Sequence, residues 1–219
     1  TPDGEKIAEF DKHNLHVLGY SVPVDKEVEL EELQEHLYSL PNMPNAIPYV
    51  TSYYEKRWGF CLSDAERKSL PKGKYRVFID SSLKPGSMTY AEVVIPGKER
   101  DKEVFFSTYV CHPSLANNEV SGPAVMTYIA KWLTDRSADL RYTYRIVFVP
   151  ETIGSINYIA NNLDLLRSNV FCGFNITCVG DDRAYSYLSS RRENTLADRI
   201  VQHVLNQIDA SFHLPSITK

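Results

Sequence analysis

Apolar positions in this chain change their rhythm near residue 96. Before it they fall in short runs broken by turn residues; after it, continuous apolar runs alternate with stretches of helical period. In the first part Leu30, Leu33, Leu37 and Leu40 recur at three- and four-residue steps, which predicts a helix over 28–40. Glu27, Glu29, Glu31 and Glu32 lie where such a helix carries its positive end, and Pro41, Pro44 and Pro48 stop it. The β-branched and aromatic runs at 49–54, 58–62, 75–80 and 89–95 predict short strands. Lys84-Pro85-Gly86-Ser87 fits a type II turn, with Pro second and Gly third. Residues 1–96 therefore read as a small β-rich domain with one helix.

Residues 97–219 read differently. The apolar run 104–111 predicts a fully buried strand, and Ala124, Tyr128, Ile129, Trp132 and Leu133 mark a helix over 120–133. A second strand is expected at 142–149, and a second helix at Ile156, Ile159, Ala160, Leu163 and Leu166. A third strand is expected at 172–179. The third helix carries Leu196, Ile200, Val201, Val204, Leu205 and Ile208, and Thr195 with Asp198 resembles a capping box at its start. Strands separated by helical crossovers pair parallel through right-handed connections. The expected class is α/β, a mostly parallel sheet flanked by helices.

Composition narrows what such a fold does. The 24 Lys and Arg against 28 Asp and Glu give a net charge of −4 and a pI near 5.9. That is no footprint for a nucleic acid, which needs a basic excess or stripe. With 43% hydrophobic residues the chain can bury a core, yet it has no apolar run long enough for a membrane span. It opens on the polar stretch Thr1 to Lys6, with no signal-peptide pattern. Cys61, Cys111, Cys172 and Cys178 lack CxxC spacing and sit in apolar surroundings. Reduced, buried thiols in a cytoplasmic protein are expected.

Ligands of an open parallel sheet bind beyond the carboxyl ends of its strands, and all three expected strands end in polar residues. The first runs into Cys111-His112-Pro113-Ser114 and then Asn117-Asn118-Glu119; the second into Pro150-Glu151-Thr152; the third into Gly180-Asp181-Asp182-Arg183. His112, Asn118 or Glu119, Glu151, and Asp181 or Asp182 thus share one rim. Nitrogen and oxygen donors converging there suit zinc, manganese or another divalent cation, beside which a carboxylate can take a proton from water. Each residue also has a plain reading: His112 as packing, Asn117-Asn118-Glu119 as a helix cap, Asp181-Asp182 as a solvated turn. His13, His16, His36, His203 and His213 have no matching spacing. A nucleophile at Cys111, Ser114 or Ser155 is a weaker alternative. Neighbours on a strand face opposite ways, which separates Cys111 from His112, and no Gly-x-Ser-x-Gly elbow occurs.

Three strings carry a family likeness: Tyr109-Val-Cys-His-Pro-Ser-Leu-Ala-Asn-Asn-Glu-Val-Ser-Gly-Pro123, Val149-Pro-Glu-Thr-Ile-Gly-Ser155 and Thr177-Cys-Val-Gly-Asp-Asp-Arg183. With them the second half resembles the M28 zinc peptidases, specifically the bacterial aminopeptidase-like branch found near capsule and lipopolysaccharide genes. The first half resembles the β-rich domain inserted in that branch. The resemblance implies an M28-like zinc-peptidase core, one or two zinc ions, and cleavage of a peptide or of an aminoacyl or N-acyl substrate in surface polysaccharide biosynthesis. It places His112 at the first zinc ligand, Asn118 at the metal-bridging acid, Glu151 at the general base and Thr152 at the second acid of a Glu pair. Thr177 falls near the third-strand acid, with Asp181 one turn on as the substitute ligand. The final ligand His belongs beyond residue 219, unless His213 supplies it, so the chain reads as a fragment. Its open sheet edge would favour pairing with another copy, a homo-oligomer. Because Asn118 and Thr152 replace carboxylates, a catalytically inactive binding or scaffold protein is the competing expectation.

Overall fold

The computed structural model describes residues 1–112 and 115–208. The chain divides into two compact units, Thr1–Gly86 and Ser87–Lys219. Among the described residues no helix is long and apolar enough to cross a membrane.

The first unit is built on an antiparallel pair, β1 (Val24–Glu29) and β4 (Lys74–Ile79), in register from Val24 opposite Ile79 to Glu29 opposite Lys74. On β4, Tyr75, Val77 and Ile79 alternate inward, and with Val28, Leu33, Leu37, Trp58 and Leu62 they form one core. Between the pair lie α1 (Leu30–Gln34), β2 (Leu37–Tyr38), β3 (Phe60–Cys61) and α2 (Asp64–Ser69). β2 and β3 form a two-residue parallel bridge. The helix expected over 28–40 shrinks to the five residues of α1, because the backbone of 24–29 finds its partners on β4. Val28, Leu33 and Leu37 reach the same core from three different elements, so the leucine spacing reports burial rather than one continuous helix.

The strand expected at 49–54 is also absent. Only an isolated bridge between Gly19 and Thr51 forms there. Ser63 and Asp64, just after the run at 58–62, open α2, where Ser63 and Glu66 close a capping box. Gly86 does not take the positive φ that a type II turn requires.

The second unit holds a four-stranded sheet in the order β5–β7–β6–β8, comprising β5 (Ala91–Ile95), β6 (Glu99–Tyr109), β7 (Tyr142–Val149) and β8 (Val170–Asn175). β7 and β8 both run parallel to β6, while β5 is an antiparallel edge. The sheet is thus mixed. The rhythm of the sequence puts 91–95 in the first half, but β5 pairs with β7 from Ala91 opposite Phe148 to Ile95 opposite Tyr144. Ile95 is buried with Met126 and Ile146.

Helices cover both faces of this sheet. Met126 and Leu133 of α3 (Ser121–Thr134) pack with Ile146 on one side. Tyr158 of α4 (Ile153–Asn169) packs with Val147 and Val149. Ile146 and Val147 are consecutive on β7 and fully buried, so opposite faces are both inside. The remaining helix, α5 (Leu196–Ile208), spans the expected residues. A buried ion network lies within the sheet. Arg145 on β7 donates to both oxygens of Glu103 on β6, at 2.6 and 3.0 Å, and also reaches Glu92.

Candidate metal centre

β6 and β7 end side by side, Tyr109 opposite Val149, and Val110 extends the ladder by donating to the Val149 carbonyl at 2.9 Å. The chains then leave the sheet with Cys111-His112 on one and Pro150-Glu151 on the other. His112 Nε2 lies 3.3 Å from Glu151 Oε2. Thirty-nine residues of sequence separate them. Cys111 Sγ joins them: one donor atom each from Cys111, His112 and Glu151 lies within 4.8 Å of the others. The Glu151 N–H donates to Cys111 Sγ at 3.4 Å. The Glu151 carboxylate is half exposed at the mouth, whereas His112 is largely covered.

Cys111 is the member of this cluster that alternation along a strand argues against. β6 ends at Tyr109, so the opposite-face rule no longer governs residues 111 and 112, and both side chains reach the same mouth. Burial pushes the Cys111 thiol above its ordinary pKa, and the carboxylates of Glu119 and Glu151 add to the effect. A thiol held protonated is a poor nucleophile, which argues against thiol catalysis. It becomes a good soft donor once a cation displaces its proton.

The Asn117-Asn118-Glu119 segment forms a single turn of π-helix, Ala116–Val120, leading into α3. Such turns are frequent at functional sites. Gly122 lets α3 begin against the strand ends: a Cβ there would lie 2.4 Å from Thr108 Oγ1 and 2.5 Å from the Ile176 carbonyl oxygen. Of the two candidates in this segment, Glu119 is buried and points at Cys111, its Oε2 accepting from the Cys111 N–H at 2.6 Å. Asn118 turns elsewhere. Its amide donates to Tyr109 OH at 2.9 Å and to Cys178 Sγ at 3.5 Å.

Asp181 is not part of the cluster among the described residues. Arg183 binds its carboxylate through side chain and backbone and holds it well below the usual carboxylate range, at about 2. The first carboxyl-end segment loses Pro113 and Ser114 from view, since both lie outside the described residues, as does His213.

Thr152 supplies a feature that no residue pattern announces. Its φ is 57° and ψ −71°, and the Ile153 N–H donates across it to the Glu151 carbonyl at 2.6 Å. This is a γ-turn of the strained hand, rare for a β-branched residue and of the kind that concentrates at functional sites. The turn swings the chain from β7 into α4 directly behind Glu151. Gly154 allows it, since a Cβ there would meet Pro150 Cδ at 2.7 Å.

The donor set itself is a test of fit. Sulfur, imidazole nitrogen and carboxylate oxygen at one mouth match the ligand types of zinc and similar borderline-soft divalent ions.

Comparison with known proteins agrees with this architecture. A protein of Clostridium acetobutylicum, provisionally named a polysaccharide biosynthesis protein with aminopeptidase-like domain, is 42% identical over 211 residues, covering 96% of this chain and 48% of that protein. A crystal structure at 2.37 Å of a provisionally assigned peptidase from the same organism is 41% identical, with a TM-score of 0.90 over 97% of this chain and 49% of its own. The chain thus spans about half the length of the relatives it matches. A family profile described as domain of unknown function, DUF4910, matches residues 8–218. By that match, over nearly its whole length, the chain belongs to the DUF4910 family.

Proposed function

We propose that this chain carries part of a metal-dependent hydrolase of aminopeptidase type, of M28 kind, acting on a peptide or amide bond in polysaccharide biosynthesis. The observation that carries the reading is the convergence of Cys111, His112 and Glu151 at the carboxyl ends of two parallel strands. The names of the homologous proteins support it, one as an aminopeptidase-like polysaccharide biosynthesis protein and one as a peptidase.

In this reading Cys111 and His112 would hold a zinc ion. A bound divalent cation would polarise the scissile carbonyl and lower the pKa of water toward about 7. Glu151, at the exposed lip, takes the proton from the attacking water as its oxygen bonds to the carbonyl carbon. It then returns that proton to the amine nitrogen as the C–N bond breaks. Further donors would come from the half of the relatives' length that this chain does not span. Asn118 remains a candidate through its amide oxygen, and Asp181 becomes one if its pairing with Arg183 opens. Cys61 and Cys172 are buried as expected, whereas Cys111 is half-buried and Cys178 exposed; a cytoplasmic setting is part of the proposal.

A second reading, a binding protein without turnover, draws on Asn118 and Thr152. These stand where the M28 likeness expects carboxylates, and the Asn118 amide is already engaged by Tyr109 and Cys178. One experiment separates the two. Full-length protein is assayed for bound metal and for hydrolysis of aminoacyl anilides, with and without chelator. The hydrolase reading expects bound zinc, activity abolished by chelator, and a loss of about 10²–10⁴-fold in Glu151→Gln. Metal-free protein whose activity is unchanged in Glu151→Gln would end it.

A further inference from the structure

Glu119 has no part in the chemistry above, yet it is a buried carboxylate at the mouth, 4% exposed. Among the described residues the basic group nearest it in an ion-pair contact is His112, with Nε2 4.0 Å from Glu119 Oε1. Both carboxylate oxygens are directed at the 111–112 segment. Oε2 accepts from the Cys111 N–H at 2.6 Å, and Oε1 lies 3.7 Å from Cys111 Sγ, the thiol donating.

The backbone explains why this contact matters. β6 lies between β7 and β8 and pairs with both, and just past its end the Val110 N–H still reaches the Val149 carbonyl of β7. At Cys111 the next partner is the Glu119 side chain in place of a strand. A chain that stayed in the ladder would send Cys111 and His112 to opposite faces. Released from the ladder and caught by Glu119, it brings both to the side where Glu151 waits.

We infer that Glu119 is the positioning residue of this centre, its carboxylate substituting for a strand partner and fixing the Cys111 thiol and His112 imidazole in one mouth. The metal part of this inference rests on the proposed hydrolase reading; the backbone part does not. Carboxylates behind metal ligands orient them, and their loss weakens metal affinity about 10–100-fold.

The test uses full-length protein with two variants and two readouts. One readout is zinc affinity by competition with a chromophoric chelator; the other is amide hydrogen exchange at Cys111. Glu119→Ala should lose zinc affinity by about 10–100-fold and exchange the Cys111 amide at least about tenfold faster, with the amides of β6 unchanged. Glu119→Gln keeps an oxygen for the Cys111 N–H but turns an amide toward the thiol and imidazole. It should retain the amide protection while losing at least about tenfold in zinc affinity, and it carries the test if the alanine variant fails to fold. Zinc affinity unchanged in both variants overturns the inference, as does unchanged Cys111 exchange in Glu119→Ala. Wild-type protein that takes up no zinc, with Cys111 protection still lost in Glu119→Ala, would refute the hydrolase reading and leave the positioning role standing.

Discussion

At the residue scale, two side chains show how much a single position can carry. Asp198 is buried at the start of α5 and accepts from Ser190 N at 2.8 Å, Ser190 Oγ at 2.6 Å, Thr195 N at 2.7 Å and Thr195 Oγ at 2.6 Å, with Tyr187 OH as a further donor. Replacing it by Ala leaves several half-buried donors without their acceptor and removes the capping-box carboxylate, and should cost about 2–3 kcal/mol in denaturant unfolding. Thr152 works in the opposite sense. Its positive φ costs about 1–3 kcal/mol, so Thr152→Gly should stabilise the fold by about 1 kcal/mol, raising the thermal midpoint, while loosening the turn that aims Glu151. An unchanged or lowered midpoint would mean the turn stores no strain. His112 and Glu151 were legible as candidates because polar residues at the mouth of an apolar strand stand out. Cys111 was legible only as a candidate nucleophile and not as a metal donor, since a cysteine ending an apolar run looks like core. Glu119 was half legible: beside Asn118 nothing in the sequence tells which of the two turns inward, and the π-turn decides it.

At the scale of elements, the second unit follows its sequence closely and the first does not. Its strands are long apolar runs and its helices carry full periods, so β7 and α5 occupy the expected residues. In the first unit the elements are two to six residues long. Periodicity needs more than one turn to separate a helix from residues that merely share a core. The sheet of the second unit is held by charge as well as packing. Arg145→Met would leave Glu103 buried without its partner and should destabilise by about 3–5 kcal/mol, with Arg145→Met/Glu103→Leu recovering much of that loss. Acid should unfold this unit through the same contacts. The Arg145 guanidinium holds Glu103 below its ordinary pKa. Burial alone would raise Asp198, but the hydrogen bonds from Ser190, Thr195 and Tyr187 win and hold it low. Folded values below unfolded ones mean stability that is complete above about pH 4.5 and is lost as pH falls toward the folded values. Unfolding free energy measured from pH 6 to pH 3 should therefore fall, and fall less steeply in Asp198→Asn.

At the scale of the molecule, the division into Thr1–Gly86 and Ser87–Lys219 comes ten residues earlier than the change of rhythm suggests, because β5 is the edge strand of the second sheet. An antiparallel edge reads like any short strand in sequence; only its partner reveals the unit it belongs to. The central claim is that a divalent cation sits where β6 and β7 end. It is tested most directly by an anomalous-scattering map of crystals of the full-length protein soaked in zinc. The account predicts a peak within about 2.0–2.3 Å of His112 and Cys111 Sγ, with Glu151 facing it. Zinc-soaked crystals with no peak at that mouth would contradict it.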